Sequence, residues 1–192
     1  MLGDRLFVLT WTSRQMFVFG IDSHTATARG GSPLSLQLNL LGELPFNTFT
    51  GEGWGLTTDG TYLIASDGSN RLTYFFPPSA DAFGAGQPAP PALQRVKQIA
   101  VSDAVTGRPV RDINELEFAN GYIYANIWYK DVMAVIDADG LVVRWIDAAA
   151  LYPQQTRARG SDCFNGIAYN TTDGSFVVTG KKWDRHFRVA ID

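Results

Sequence analysis

Three tryptophans, one asparagine and one lysine, Trp11, Trp54, Asn114, Trp128 and Lys181, stand at the ends or entrances of short apolar runs. Indole rings can enclose a small ligand and face a cation. An Asn amide both donates and accepts hydrogen bonds, and a Lys ammonium donates three. If the three tryptophans and the lysine meet, they form an aromatic box with a cationic edge. Carboxylates occur beside them, with Glu52 in Gly51-Glu52-Gly53-Trp54 and Glu115 and Glu117 flanking Leu116. On an alternating strand Glu115 and Glu117 point to one face, where two like charges need water or hydrogen-bond donors.

Residues so far apart can meet only if the chain returns repeatedly to one place, and its strand pattern does that. Runs rich in β-branched and aromatic residues recur at Leu6–Thr10, Phe17–Phe19, Tyr62–Ala65, Leu72–Phe76, Tyr122–Ala125, Val132–Ile136, Phe176–Thr179 and Phe187–Ile191, which predicts strands. Asx-Gly pairs at Asp59-Gly60, Asn120-Gly121, Asp139-Gly140 and Asp173-Gly174 predict the turns that close hairpins. The pieces repeat in order over Leu6 to Asp22, Trp54 to Pro78, Glu115 to Asp137 and Gly166 to Asp192. Equivalent residues Thr10, Ser66, Asn126 and Thr179 fall roughly 53 to 60 apart, a period that points to an all-β propeller whose inner strands line a central channel.

The same template places outer strands at Leu34–Leu38, Val96–Val101 and Leu141–Ile146. The first unit begins at its second strand and the last stops before an outer strand, so both ends cut through a blade. Residues 77 to 94, rich in Pro, Ala and Gly, read as a surface loop ahead of an outer strand within one domain over 1–192. In a propeller the channel mouth collects side chains from equivalent points of different blades. The candidates there are Glu52 to Trp54, Asn114 to Glu117 and Asn165-Gly166 at strand entrances, with Trp11, Asp67, Trp128 and Lys181 at strand ends.

Composition excludes several other functions. The net charge of −3 comes without a Lys/Arg cluster, against a nucleic-acid or anionic-membrane partner. No apolar run approaches the roughly 20 residues of a membrane-spanning helix. Cys163 is the only cysteine, so neither an internal disulfide nor a cysteine-rich zinc site is open to the chain. His24 and His186 lack a ligand pattern, and no metal or other cofactor is expected.

The motifs GEGWGLTTDG at 51 to 60, SDGSNRL at 66 to 72, NELEFANGYIYANIW at 114 to 128, VIDADGLVVRWID at 135 to 147 and FNGIAYNTTDGSFVVTGKKW at 164 to 183 together resemble the glutamine cyclotransferases, the plant and bacterial glutaminyl cyclases. The resemblance implies a five-bladed propeller, here of about three and a half to four blades. It also implies metal-free cyclisation of an N-terminal glutaminyl residue of a peptide or protein to pyroglutamate, an acyl transfer that releases ammonia. By the same resemblance Trp11, Trp54 and Trp128 are pocket walls, Asn114 is both a substrate-binding and a catalytic residue, and Lys181 is catalytic. A secretory or periplasmic setting is implied as well, and a monomer is expected.

One departure stands out. The family's catalytic glutamate lies in a Phe-Gly-Glu-Gly motif that would fall upstream of Trp11, before Met1. Glu52 belongs one blade later and is not expected to replace it, while Glu115 and Glu117 are expected to hold the blade entrance by hydrogen bonds. On this reading the chain carries most of the binding pocket and is inactive alone. Two other readings are a non-catalytic propeller module that binds peptide N-termini through the aromatic box, and a scaffold in which the three tryptophans do not converge.

Overall fold

A computed structural model describes residues 1–22, 37–83 and 92–191, and strands in it fall into four sheets, each built on a meander. The first comprises β1 (Arg5–Leu9), β2 (Gln15–Asp22) and β3 (Gln37–Pro45). The second comprises β4 (Gly55–Thr58), β5 (Leu63–Ser66), β6 (Arg71–Phe75) and β7 (Arg95–Ala100). The third holds the two-residue β8 (Ser102–Asp103) and the meander β9 (Ile113–Ala119), β10 (Tyr122–Ile127), β11 (Val132–Ile136) and β12 (Leu141–Asp147). The fourth comprises β13 (Phe164–Asn170), β14 (Ser175–Gly180) and β15 (Phe187–Val189).

These sheets are the blades of a propeller. The inner strand β4 packs against β9, β9 against β13, and β1 approaches β4. The turns that close the hairpins follow the Asx-Gly pairs. Asn120 and Gly121 between β9 and β10 are both left-handed, φ +52° and +83°, as a two-residue type I′ turn requires. Asp59 Oδ1 accepts the N–H groups of Thr61 and Tyr62 at 2.8 and 2.7 Å, which pins the turn from β4 to β5.

The core lies between blades rather than inside one. Phe7, Met16, Val18 and Leu44 of the first blade meet Leu63, Ala65 and Phe75 of the second. Ile64, Leu72 and Tyr74 meet Leu116, Ile123 and Ile136 of the third. Tyr124, Met133 and Val135 meet Phe164, Phe176 and Val178 of the fourth. Each blade is thus apolar on the faces it turns to its neighbours, and burial of those faces supplies the main drive to stack them.

All eight predicted runs are strands, with ends shifted by a few residues. The outer strand expected at Leu34–Leu38 is different: β3 is Gln37–Pro45 and pairs with β2 along that length, and residues 34 to 36 lie outside the described residues. Along β3 Leu44 is buried while Leu38, Leu40 and Leu41 are exposed, so no alternation marked the strand. β8 was not anticipated; its two residues add in parallel to β12 at the outer edge of the third blade. Of residues 77 to 94, 84 to 91 lie outside the described residues. The remainder is anchored, with Leu93 buried between the first two blades and its N–H on the Pro45 carbonyl at 2.8 Å.

Candidate active site

The second strand of every blade ends at the same rim. β1 delivers Trp11, β5 delivers Asp67, β10 delivers Trp128 and β14 delivers Lys181. The residue that follows is left-handed in three blades, at Gly68 (φ +77°), Tyr129 (φ +55°) and Lys182 (φ +58°). That turn carries the chain off the strand and leaves the preceding side chain at the mouth. Trp54 and Asn114 come to the rim from the other direction, at the start of β4 and β9.

Trp11, Trp54, Asn114, Trp128 and Lys181, with Gly53, line one cavity of about 320 Å³. The five residues singled out in the sequence are therefore brought together, and the scaffold reading's expectation that the tryptophans stay apart is overturned. Trp54 and Trp128 meet edge to face, 5.2 Å between centroids at 79°, a favoured aromatic geometry. Trp11 is 66% exposed and forms the outer wall. A cavity near 300 Å³ lies at the small end for ligand pockets and suits one compact side chain.

Backbone fit holds the walls. The Gly53 N–H donates to the Trp11 carbonyl at 2.8 Å and the Trp54 N–H to the Ser66 carbonyl at 3.0 Å. The Ser66 hydroxyl donates to the Asn114 carbonyl, and Gly55 lies so close to that carbonyl that a Cβ would come within 2.2 Å of it. Trp54 lies over Gly68, where a side chain would meet the indole at 2.6 Å.

Asn114 is 3% exposed, and no described protein group is hydrogen-bonded to its side-chain amide. A buried amide facing a cavity without a partner is unfavourable unless a ligand or water supplies the bonds. Lys181 takes no part in the ion pairs formed among the described residues, which are Arg157–Asp131, Arg185–Asp184 and Arg188–Asp173. The cavity thus presents an amide and an ammonium that are both available.

The acids divide into two kinds. Glu115 Oε2 accepts the Ile167 N–H at 3.0 Å and Glu117 Oε1 accepts the Tyr169 N–H at 2.8 Å. Both therefore bind the free edge of β13 in the next blade, in keeping with their expected role. Asn165 Oδ1 accepts the Glu115 N–H at 3.4 Å, and Gly166 donates to Asn126 Oδ1 at 2.8 Å. Burial pushes the Glu115 carboxyl up to about 8, helped by the nearby Glu117 charge and opposed by the Ile167 N–H. Burial likewise raises Glu117, against the pull of the Tyr169 N–H.

Glu52 is the other kind. Its Oε2 accepts both the Trp11 indole N–H at 2.8 Å and the Trp54 indole N–H at 2.7 Å. Sequence reading set Glu52 aside as a catalytic acid and did not foresee this contact. The spacing of Glu52 and Trp54 on one strand entrance hinted at it, but Trp11 is 41 residues away. Asp67, expected at the rim, is 2% exposed and instead ties down the loop before β4. Among the described residues no group of three or more His, Cys, Asp or Glu side chains could hold a metal ion. His24 lies outside the described residues.

The described structure is thus a set of propeller blades with a small aromatic pocket at the channel mouth. The chain belongs to the glutamine cyclotransferase family, whose model matches residues 1–191. It is 30% identical over 198 residues to the glutaminyl-peptide cyclotransferase of Arabidopsis thaliana, covering 100% of this chain and 51% of that protein. The chain therefore spans about half the length of this relative. It also resembles the crystal structure of Myxococcus xanthus glutaminyl cyclase, with a TM-score of 0.74 and 34% identity over 99% of this chain and 69% of that one.

Proposed function

We propose that the cavity binds the N-terminal glutaminyl residue of a peptide or protein for metal-independent cyclisation to pyroglutamate. In this reaction the α-nitrogen attacks the side-chain carbonyl carbon, a C–N bond forms, and the original amide nitrogen leaves as ammonia. Both reacting groups belong to one residue, so the protein's main task is to fold the side chain back onto the amine and to move protons. The observation that carries the reading is the convergence of three indoles, an unpartnered amide and an unpaired ammonium on one cavity of about 320 Å³.

In this reading the indoles enclose the glutaminyl methylenes and face the α-ammonium. Asn114 bonds the carboxamide or the peptide backbone, and Lys181 stabilises charge developing on the amide oxygen. Proton transfer between the two nitrogens needs a carboxyl group, and the family resemblance assigns it to the Phe-Gly-Glu-Gly motif rather than to Glu52. Calorimetric titration of the 192-residue chain with a Gln-initiated peptide tests the binding half. Saturable binding that is lost with the pyroglutamyl peptide is expected, and no binding at millimolar peptide overturns it.

Ammonia release tests the chemistry. The 192-residue chain is expected to release none, whereas a form extended by a natural upstream segment containing Phe-Gly-Glu-Gly is expected to turn over at a rate that a chelator leaves unchanged. Release by the shorter chain would move the proton-transfer role onto one of its own groups. Complete inhibition of the longer form by a chelator would overturn the metal-independent mechanism.

A further inference from the structure

Two indole N–H groups meeting on a single carboxylate oxygen are uncommon enough to ask what they accomplish. Glu52 Oε2 joins Trp11, which follows β1 of the first blade, to Trp54, which precedes β4 of the second. Among the described residues no other hydrogen bond or ring contact joins those two side chains. Trp11 is 66% exposed and without that bond its ring would be free to turn about χ1 and χ2, losing the wall that faces Trp54. Glu52 is itself held on every side. The Thr48 hydroxyl donates to its carbonyl at 2.6 Å, and its N–H donates to the Thr50 hydroxyl at 3.3 Å.

Thr50 is anchored in turn. Its N–H donates to Asp67 Oδ2 at 2.9 Å and its hydroxyl to the Asp67 carbonyl at 3.0 Å. Gly51 between them is left-handed, φ +83°, with the Arg14 guanidinium occupying the place of a side chain. A relay thus runs from the buried Asp67 through Thr50 to Glu52 and on to both indoles. We propose that Glu52 is a positioning residue that fixes Trp11 and Trp54 as the ammonium-facing walls of the pocket; this rests on the glutaminyl reading above.

The charge matters besides the geometry. Hydrogen bonds polarise one another in a low-dielectric site, so an N–H held by an anion leaves its ring more electron-rich. Such a ring attracts a cation over its face more strongly. The carboxylate is thereby suited to favour a free α-ammonium over a neutral, N-acetylated terminus, without touching the ligand itself.

The test compares Glu52→Gln and Glu52→Ala with the native chain by two measurements. The first is the set of indole N–H resonances in an ¹⁵N-correlated spectrum, assigned by single Trp→Phe variants. The Trp11 and Trp54 signals are expected downfield and protected from exchange, moving upfield and exchanging faster in Glu52→Ala. The second is the affinity for a Gln-initiated peptide and its N-acetylated form. Glu52→Ala is expected to weaken the free-amine peptide by about tenfold, the range for a lost charge-assisted hydrogen bond. Glu52→Gln keeps an acceptor and loses the charge, so the indole signals should largely stay while the preference for the free amine falls.

Indole signals that stay in place in both variants overturn the proposal. If the native chain binds no peptide yet the two resonances move in Glu52→Ala, the glutaminyl reading fails and the positioning role stands. If Glu52→Ala is unfolded, Glu52→Gln decides, because unchanged preference for the free amine there removes the electrostatic role.

Discussion

Two adjacent lysines, both exposed, differ in what they face. Lys181 lines the pocket, whereas Lys182 lies outside its lining and is left-handed at φ +58°. Replacing Lys182 with Gly keeps the backbone shape and removes the side chain, so peptide affinity should stay within about twofold of native and stability should not fall, since a non-Gly residue in that conformation costs roughly 1 kcal/mol or more. Lys181→Ala should weaken the Gln-peptide by about tenfold to a hundredfold, the share of one hydrogen bond to a charged group. Parallel titrations decide, and equal losses in the two variants would mean the ammonium contributes through general charge alone. At this scale the pocket was legible because aromatic and charged residues at repeat-equivalent positions stand out in a strand pattern. Glu52 was not, because its partner Trp11 belongs to a different blade and nothing along the chain marks a contact that only the stacking of blades creates.

Inner strands of a propeller leave backbone N–H groups facing the channel, and an unpaired edge buried against a neighbour must be satisfied. Here the third blade supplies carboxyls to the fourth and the second supplies the Thr57 hydroxyl, which accepts the Phe118 N–H at 2.9 Å. This fixes a pH dependence. The ordinary Glu carboxyl is near 4.5 and Glu115 is raised to about 8 in the folded chain. Between those values the folded state holds a proton that the unfolded chain has lost. The unfolding free energy should therefore fall as pH rises through that window, by up to about 1.4 kcal/mol per pH unit for this group. Glu115→Gln should flatten the slope in denaturant melts at pH 5, 6.5 and 8; an unchanged slope would place the titration elsewhere.

A second element-scale expectation concerns Gly55, whose missing Cβ is what lets β4 lie against the Asn114 carbonyl. Gly55→Ala must push β4 and β9 apart, at about 1–3 kcal/mol by analogy with overpacking, and should loosen the peptide because Asn114 shifts. Strand assignments were legible where Asx-Gly turns and apolar runs coincide. They were least so at β3, whose apolar residues mostly face outward, and at β8, which is too short to carry a pattern.

Across the whole molecule the pocket belongs to all four blades, since β1, β4, β9, β10 and β14 each deliver part of its wall. The repeat in the sequence made this arrangement readable, and the apolar slabs between blades explain why it holds. Loss of the pocket and loss of the interblade packing should therefore be one event. Indole emission and far-UV circular dichroism are expected to melt at the same midpoint. A Gln-initiated peptide at about 100 times its Kd should raise the unfolding free energy by about 2.7 kcal/mol. Separate midpoints would mean that one blade releases its part of the wall early.

The acids on β9 also give the arc of blades a direction. Glu115 and Glu117 reach forward to Ile167 and Tyr169, so the third blade is a donor of carboxyls and the fourth their recipient. Blades of similar outline are for that reason not interchangeable parts. A blade moved one place along would present carboxyls to a strand already satisfied, and the order of the second, third and fourth is written into which strand reaches for which.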